Sequence, residues 1–399
     1  MRLLFVVQRY GADVAGGAEQ HCRQFTTRMA GRGHDVDVLT SCAIRYTDWA
    51  DYYAPGTESL EGVIVHRLPV RRPRDPHLAG PLDERVVLGR KPAPFYLQRE
   101  WVRLQGPDLP DLERWLEVHA ANYDVVVFFT YLYETTVAGL PVAARTTPTI
   151  LHPTAHDEPP FGLQLFELAL RHANAFACST EEEARLIRSK LHGRPPISEI
   201  GIGVEMDVDG DGAAFRVKHG LGRRPYILYV GRVDPHKGSE ELHEFFVTYK
   251  RRQPGDLALV IMGEQIRPLP AHPDIIATGY VDDATREGAI AGAVAMVVPS
   301  YFESFSMVLT EAWAARKAAL VQGWCDVLAG QARRSGGAIP YRGFAEFEVA
   351  LDAIVSDQTL ARALGEAGRR YVEERYRWDD VLDRYERQLR LVMDGRLAG

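Results

Sequence analysis

Short apolar runs punctuate the first half of the chain: LLFVV at 3–7, DVDVLT at 35–40, VIVHRL at 63–68, DVVVFF at 124–129, TILH at 149–152 and AFACS at 175–179. They have strand length, and stretches between them, such as residues 17–32, are helical in pattern. Strands that alternate with helices need crossover connections and build a mainly parallel sheet. A loop-like stretch near residues 193–225 interrupts this grammar, which restarts with YILYVG at 226–231. A helical pattern from Ser239 to Arg252 follows, then LALVIMG, IIATG, MVVPS and AALVQG. The pattern predicts an α/β protein of two tandem, doubly wound, Rossmann-like domains at 1–197 and 198–375. Residues 376–399 belong to a charge-rich helical stretch that starts near Gln358 and is long enough to cross back to the first domain.

Composition narrows the function classes. At 399 residues the chain exceeds what one core usually holds, and its apolar (46%) and charged (25%) fractions are those of a globular protein. A formal charge of −7 argues against a nucleic-acid partner, because phosphates are met by a basic field. Cys22, Cys42, Cys178 and Cys325 form no C-x-x-C pair, so neither a zinc site nor a disulfide framework is expected. The first apolar run spans five residues, too short for the core of a signal peptide, and no run approaches the ~18 apolar residues that cross a bilayer. A cytoplasmic protein is expected, with at most peripheral contact at the inner membrane face. Residues 66–115, which hold HRLPVRRPRDPH and GRKPAPF, read as an insertion of loops and short helices over the mouth of the first domain. They form either a solvated surface or a contact for an anionic partner molecule or membrane headgroup.

Ligands bind doubly wound sheets at the carboxyl ends of the strands, so the strand exits carry the chemistry. The first strand leads into RYGADVAGGAEQH, where Gly16 and Gly17 precede a helix whose unpaired N–H groups suit an anion. A plain tight turn explains the same glycines. The strand at 226–231 leads into GRVDPHKGSEELHEF, which sets Gly231 and Arg232 at the strand end and Lys237 and Gly238 at the helix start. Two cations beside a helix dipole fit a diphosphate, although the spacing is not that of a Walker loop. In HPTAHDE at 152–158 the histidines stand like two ligands on a helix, but Pro153, Pro159 and Pro160 oppose a helix there. His156, Asp157 and Glu158 instead read as polar groups on a strand exit. DVDGDG at 207–212 opens like a calcium loop, yet Lys218 stands where the bidentate glutamate belongs, so a solvated turn is expected. No metal site is predicted. The last exit, YFESFSMVLTEAWA at 301–314, places Glu303 and Glu311 eight positions apart in an apolar segment.

Taken together, GGAEQH, YVGRVDPHKG, GIGVE at 201–205 and PSYFESFSMVLTEAWA resemble glycosyltransferase family 4, retaining enzymes of the two-domain GT-B fold with a central cleft. The resemblance runs over essentially the whole chain and implies a nucleoside-diphosphate-sugar donor and an acceptor hydroxyl. It implies that Glu303 meets the hydroxyls of the transferred sugar, Glu311 those of the ribose, and the backbone of Ser304, Phe305, Ser306 and Met307 the phosphates. Arg232 and Lys237 would neutralise the leaving diphosphate, Gly16 and Gly17 would approach it from the first domain, and His156 would stand on the acceptor side near the anomeric carbon. His152 is the alternative if the strand ends a few residues earlier. The family is usually metal-independent, so neither metal nor cofactor is expected. Two departures are Ser306 and ARKAALVQG, where the family commonly has a glycine and a G-x-P stretch. A sugar-nucleotide 2-epimerase on the same fold and a non-catalytic binding subunit are the competing readings.

Overall fold

The computed structural model describes residues 1–191, 196–207, 210–234 and 237–395. By its contacts the chain forms two units: Met1–Ile200 with Leu382–Gly399, and Gly201–Val381. Asp209 of the calcium-like stretch and His236 of the second glycine-rich exit lie outside the described residues.

Unit 1 opens with β1 (Arg2–Val6), α1 (Gly17–Gly31), β2 (Asp35–Ser41), β3 (Gly56–Leu60) and β4 (Val63–Leu68). Three helices follow, α2 (Pro76–Val86), α3 (Phe95–Gln105) and α4 (Leu112–His119). The chain then alternates through β5 (Val125–Phe129), α5 (Glu134–Ala143), β6 (Thr149–His152), α6 (Gln164–Leu170), β7 (Ala175–Cys178), α7 (Glu181–Lys190) and β8 (Ile197–Glu199). The sheet order is β3-β4-β2-β1-β5-β6-β7-β8. Only β3 runs antiparallel, along β4. Parallel strands covered on both faces read as continuous apolar runs, and β5, VVVFF, is buried at every position. The edge strand β3, GTESL, is largely exposed, and its polar sequence explains why an apolar scan passes over it. His66, Arg67 and Leu68 complete β4, so the insertion expected from residue 66 begins only after the strand. His66 is held there by Thr57 at 3.0 Å and Asp37 at 3.3 Å.

Unit 2 contains α8 (Gly212–Lys218), β9 (Tyr226–Val230), α9 (Ser239–Arg252), β10 (Ala258–Met262), β11 (Ile275–Gly279) and α10 (Asp283–Gly292). It continues with β12 (Ala295–Val298), α11 (Met307–Ala314), β13 (Ala318–Gln322), α12 (Asp326–Ser335) and β14 (Ala338–Tyr341). The helices α13 (Phe344–Ser356) and α14 (Gln358–Arg375) come last. All pairings of this six-stranded sheet are parallel, in the order β11-β10-β9-β12-β13-β14. Asp211 is more than a solvated turn residue: its carboxylate caps α8 by accepting from the N–H groups of Ala213 and Ala214 at 3.0 and 2.8 Å.

The last helix, α15 (Trp378–Met393), starts in unit 2 and continues in unit 1. Within unit 1 it is tied down by Arg384 to the carbonyl of Ile200 (2.9 Å) and by Gln388 to that of Phe176 (2.9 Å). Tyr385 packs edge-on against Phe25. Among the described residues no helix is long and apolar enough to cross a membrane.

Strand order reverses between β1 and β5 in unit 1 and between β9 and β12 in unit 2. Crevices open at such switch points, outside the carboxyl ends of the strands. The exits of those four strands, with the neighbouring exit of β6, contain the residues considered next.

Candidate active site

In unit 2, β9 ends at Val230 and the chain turns through Gly231, Arg232, Val233 and Asp234 to reach Lys237 at the foot of α9. Asp234 organises this turn. Its carboxylate accepts from the Lys237 N–H at 3.2 Å, its carbonyl takes the Ser239 hydroxyl at 3.1 Å, and its other oxygen lies 3.7 Å from Arg232. Sequence reading passed over Asp234, although an aspartate three residues before a helix-start lysine is itself a turn signal. Tyr229 donates to the carbonyl of Arg232 at 2.6 Å and fixes the backbone from inside the sheet. Gly238 caps α9 with φ 68°, and a Cβ there would strike the carbonyl oxygen of Pro299. Only glycine lets the two switch-point loops approach this closely.

The facing exit, β12 to α11, brings Glu303 to the cations. Lys237 Nζ stands 2.8 Å from Glu303 Oε1, with the lysine about one-third exposed and the glutamate mostly buried. Arg232 is about two-fifths exposed. Ser306 precedes α11 with φ 73° and ψ 80°, a left-handed conformation that costs a residue with a Cβ roughly 1–2 kcal/mol. The backbone therefore favours glycine here, the residue that the resemblance leads one to expect at this position. The Ser306 hydroxyl is buried without a hydrogen-bond partner. Phe305 is core: its ring packs edge-on to Tyr376, and its carbonyl accepts from the Gln331 amide. Of the four residues expected to cradle phosphate, Phe305 can therefore offer its main chain but not its side chain.

Glu311 sits within α11, where Arg286 of α10 approaches its Oε1 at 3.6 Å. Its Oε2 is buried and unpaired. Burial holds its carboxyl above the usual carboxylate range, against the opposing pull of Arg286. The structure thus forms two separate pairs, Lys237 with Glu303 and Arg286 with Glu311. Arg286 carries no motif signal and was invisible in the sequence.

In unit 1, Gly16 caps α1 with φ 152°, and a Cβ there would meet the Glu19 carboxylate and, at 3.0 Å, Arg9. Arg9 and Glu19 form a buried ion pair at 2.5 Å, to which Gln8 adds a hydrogen bond of 2.8 Å. Gly17 has open space around it: an added Cβ would meet nothing within 4 Å. At the exit of β6, His156 is about 30% exposed, with Nδ1 3.4 Å from Glu158, which also accepts from Tyr131 at 2.7 Å. His152, the alternative at this exit, is the last residue of β6 and lies in the core. It stacks on Phe129 at 4.4 Å and meets His21 edge-on at 5.2 Å, so it is not available to a ligand.

Glu183 of α7 ties this exit to the next. Its two oxygens accept the backbone N–H groups of Ala155 (2.7 Å) and Ser179 (2.6 Å), and burial pushes its carboxyl up to about 7. At the exit of β5, Glu134 is also pushed up to about 7 by burial, with Arg99 at 3.4 Å from one oxygen and the other oxygen unpaired.

Two doubly wound sheets in one chain, with cations, a carboxylate and a helix start meeting at the switch point of the second, define the GT-B class of fold. Comparison with known proteins agrees. Residues 16–198 match the family described as Glycosyl transferase 4-like domain, and residues 212–371 match Glycosyl transferases group 1. The glycogen synthase of Mycobacterium tuberculosis is 25% identical over 410 residues, covering 96% of this chain and 92% of the relative. Among solved structures, the sucrose-phosphate synthase of Thermosynechococcus elongatus superposes with a TM-score of 0.73 at 20% identity, over 99% of each chain. Anabaena HepE in complex with UDP and glucose superposes with a TM-score of 0.67 at 13% identity, over 98% of this chain and 99% of that one. The chain belongs to the GT4-type glycosyltransferases and has their GT-B fold.

Proposed function

We propose that the chain transfers a sugar from a nucleoside-diphosphate-sugar to an acceptor hydroxyl with retention of anomeric configuration. The observation that carries this reading is the Lys237–Glu303 pair at 2.8 Å, set between two helix starts at the switch point of unit 2. A carboxylate beside an ammonium is what a sugar diphosphate asks for: an acceptor for vicinal hydroxyls and a cation for the phosphate. Anabaena HepE, solved with UDP and glucose, makes a uridine diphosphate donor the first to test.

In this reading Arg232, Lys237 and the main chain of Gly231 and of Ser304, Phe305, Ser306 and Met307 hold the diphosphate. Glu303 takes the sugar hydroxyls. Glu311, whose buried Oε2 lacks a donor, accepts from the ribose. The acceptor hydroxyl attacks the anomeric carbon from the face that the leaving group vacates. The bond from that carbon to the diphosphate oxygen breaks, and the hydroxyl proton passes to the departing phosphate. His156, reachable from solvent, is assigned to the acceptor side. The positive charge that a metal would supply comes from Arg232 and Lys237, so activity is independent of divalent cations.

The test is calorimetry of UDP, GDP, ADP and TDP in the presence of EDTA, followed by the anomeric configuration of the product by NMR. Selective micromolar binding of one nucleotide and a retained anomer are expected. No nucleotide binding, or an inverted product, would overturn the proposal.

The two glycines at the start of α1 separate ligand approach from internal packing. Gly17→Ala meets no protein atom, so the fold should hold while donor affinity falls, because the glycine's remaining role is to let phosphate near. Gly16→Ala should instead cost about 2 kcal/mol or more of stability through its strained φ and the Glu19 carboxylate. Paired melting and nucleotide titrations check both, and unaltered donor affinity in Gly17→Ala would remove that residue from the site.

A further inference from the structure

The segment after β4 brings arginines together in a way that stability does not explain. Arg71, Arg72 and Arg103 converge on one carboxylate oxygen, Asp108 Oδ2, at 3.9, 4.0 and 4.0 Å. These separations are ion-pair contacts, longer than a hydrogen bond. Among the described residues, neither the Arg71 nor the Arg72 side chain donates a hydrogen bond, and both are about half exposed. Both guanidiniums stand beside a carboxylate that is itself mostly enclosed. The Arg71 N–H donates to the Asp108 carbonyl at 2.8 Å, so the loop itself is pinned in place.

A second, independent observation lies beside this cluster. Glu134, at the start of α5 and 8% exposed, has a buried Oε2 with no partner, while Arg99 approaches its other oxygen at 3.4 Å. The Glu134 N–H bonds to the carbonyl of Gly106, two residues before Asp108, at 3.3 Å. Thr130, on the same strand exit with φ 70°, also has a buried hydroxyl without a partner. Arg99 and Arg103 lower the Glu134 carboxyl while Asp108 raises it, so the two groups share one electrostatic neighbourhood. Arg71, Arg72, Arg99 and Arg103 there face the carboxylates of Glu100, Asp108 and Glu134, and Glu113 also acts on Glu134. This exit belongs to β5, on the switch point of the unit 1 sheet.

We propose that the exit of β5 and the adjoining arginines form a subsite for an anionic acceptor: a polyol or sugar bearing a phosphate monoester or carboxylate. Arg71 and Arg72 bind the anionic group, Arg103, held to Glu100 by hydrogen bonds of 3.0 and 2.7 Å, adds positive charge beside them, and Glu134 with Thr130 binds neighbouring hydroxyls. Forked guanidinium donors match the oxygens of phosphate and carboxylate, and Arg71 and Arg72, about half exposed and making no side-chain hydrogen bond among the described residues, leave those donors for a ligand. The inference rests on the transferase reading above, which makes unit 1 the acceptor side.

Direct binding tests it without requiring turnover. Glucose, glucose 6-phosphate and glucuronate are titrated by calorimetry into the full chain and into Arg71→Ala/Arg72→Ala, with a UDP titration alongside. One or both anionic sugars should bind about tenfold tighter than glucose, and the double variant should lose that advantage while binding UDP as before. Which anion gains identifies phosphate or carboxylate as the acceptor's group. Equal affinity for all three sugars, or an anion advantage that survives in the variant, would overturn the proposal. So would arginine-dependent binding to phosphatidylserine vesicles without binding of either anionic sugar, which makes the patch a membrane contact. Loss of UDP binding in the unmodified chain would count against the donor site and leave the anion result standing on its own.

Discussion

Lys237→Ala should lower transfer by about 10²–10³-fold, roughly 3–4 kcal/mol of transition-state stabilisation, with little change in melting temperature. The lysine is about one-third exposed and pairs with Glu303 at 2.8 Å. An ion pair this open contributes about 0–1 kcal/mol to folding, so the fold hardly needs it. Chemistry needs it more. In the proposed transfer, negative charge grows on the leaving diphosphate as the sugar departs, and a cation held by a turn and a helix start would meet that charge without reorganising. Removal also takes the ammonium away from a mostly buried Glu303 carboxylate, so the local charge grows more negative where the diphosphate would sit. Glu303→Ala should cost at least about tenfold through the sugar hydroxyls. Steady-state kinetics with a validated donor and acceptor, together with melting curves, decide the matter. A folded Lys237→Ala enzyme with near-normal rates would reduce the pair to an ordinary surface contact.

Acid should unfold the protein through the buried histidines of unit 1. His21 and His152 meet edge-on at 5.2 Å, enclosed by Phe25, Phe129 and Tyr385, and burial pushes His21 from 6.5 down to about 3 and His152 well below its usual value. Both are neutral when folded. Below pH 6.5 the unfolded histidines take up protons that the folded ones refuse, so stability falls until the folded group titrates. For His21 alone the loss approaches about 4–5 kcal/mol by pH 3. Glu134 and Glu183 act with the opposite sign. Their folded carboxyls titrate near 7 rather than 4.5, so they add stability as pH falls from 7 to 4.5. The two pairs oppose each other between pH 6.5 and 4.5, where stability should change little. Below 4.5 the histidines are no longer opposed, the lowered carboxyls of Asp37, Asp274 and Glu386 add their own loss as they take up protons, and the curve steepens.

Denaturant unfolding across this range, wild type minus variant, isolates each contribution. His21→Leu should flatten the fall below pH 4.5, and Glu183→Gln should expose a fall beginning near 6.5. An identical acid limb in His21→Leu would remove the histidine from the explanation.

Much of the proposed donor site could be marked out from the sequence, because its residues lie where strands end. A buried parallel strand needs a continuous apolar run, and the residues just beyond it, Gly231 with Arg232 and then Glu303, stand out for being polar or glycine. Helix α9 spans the range that its pattern predicts, Ser239–Arg252. The strands missed by the apolar scan are β3, polar and exposed, β8, three partly buried residues, and β14, broken by Pro340. The histidines at 152 and 156 show the limit of reading a strand end. One step along a strand reverses the face, and a few residues separate a ring stacked in the core from one reachable by solvent.

What the sequence determined by itself is local: periodicity set the alternation of strands and helices, and the spacing of charged residues around strand ends marked Arg232, Lys237, Glu303 and Glu311. Pairing was decided only by the tertiary structure. Glu303 meets a lysine 66 positions earlier, Glu311 an arginine on a neighbouring helix, and Asp108 three arginines from two different segments. Strand order brings those segments together, and burial then sets which carboxylates lack a donor and which histidines stay neutral. Both are properties of packing between residues distant in the chain, on which a local pattern carries no information.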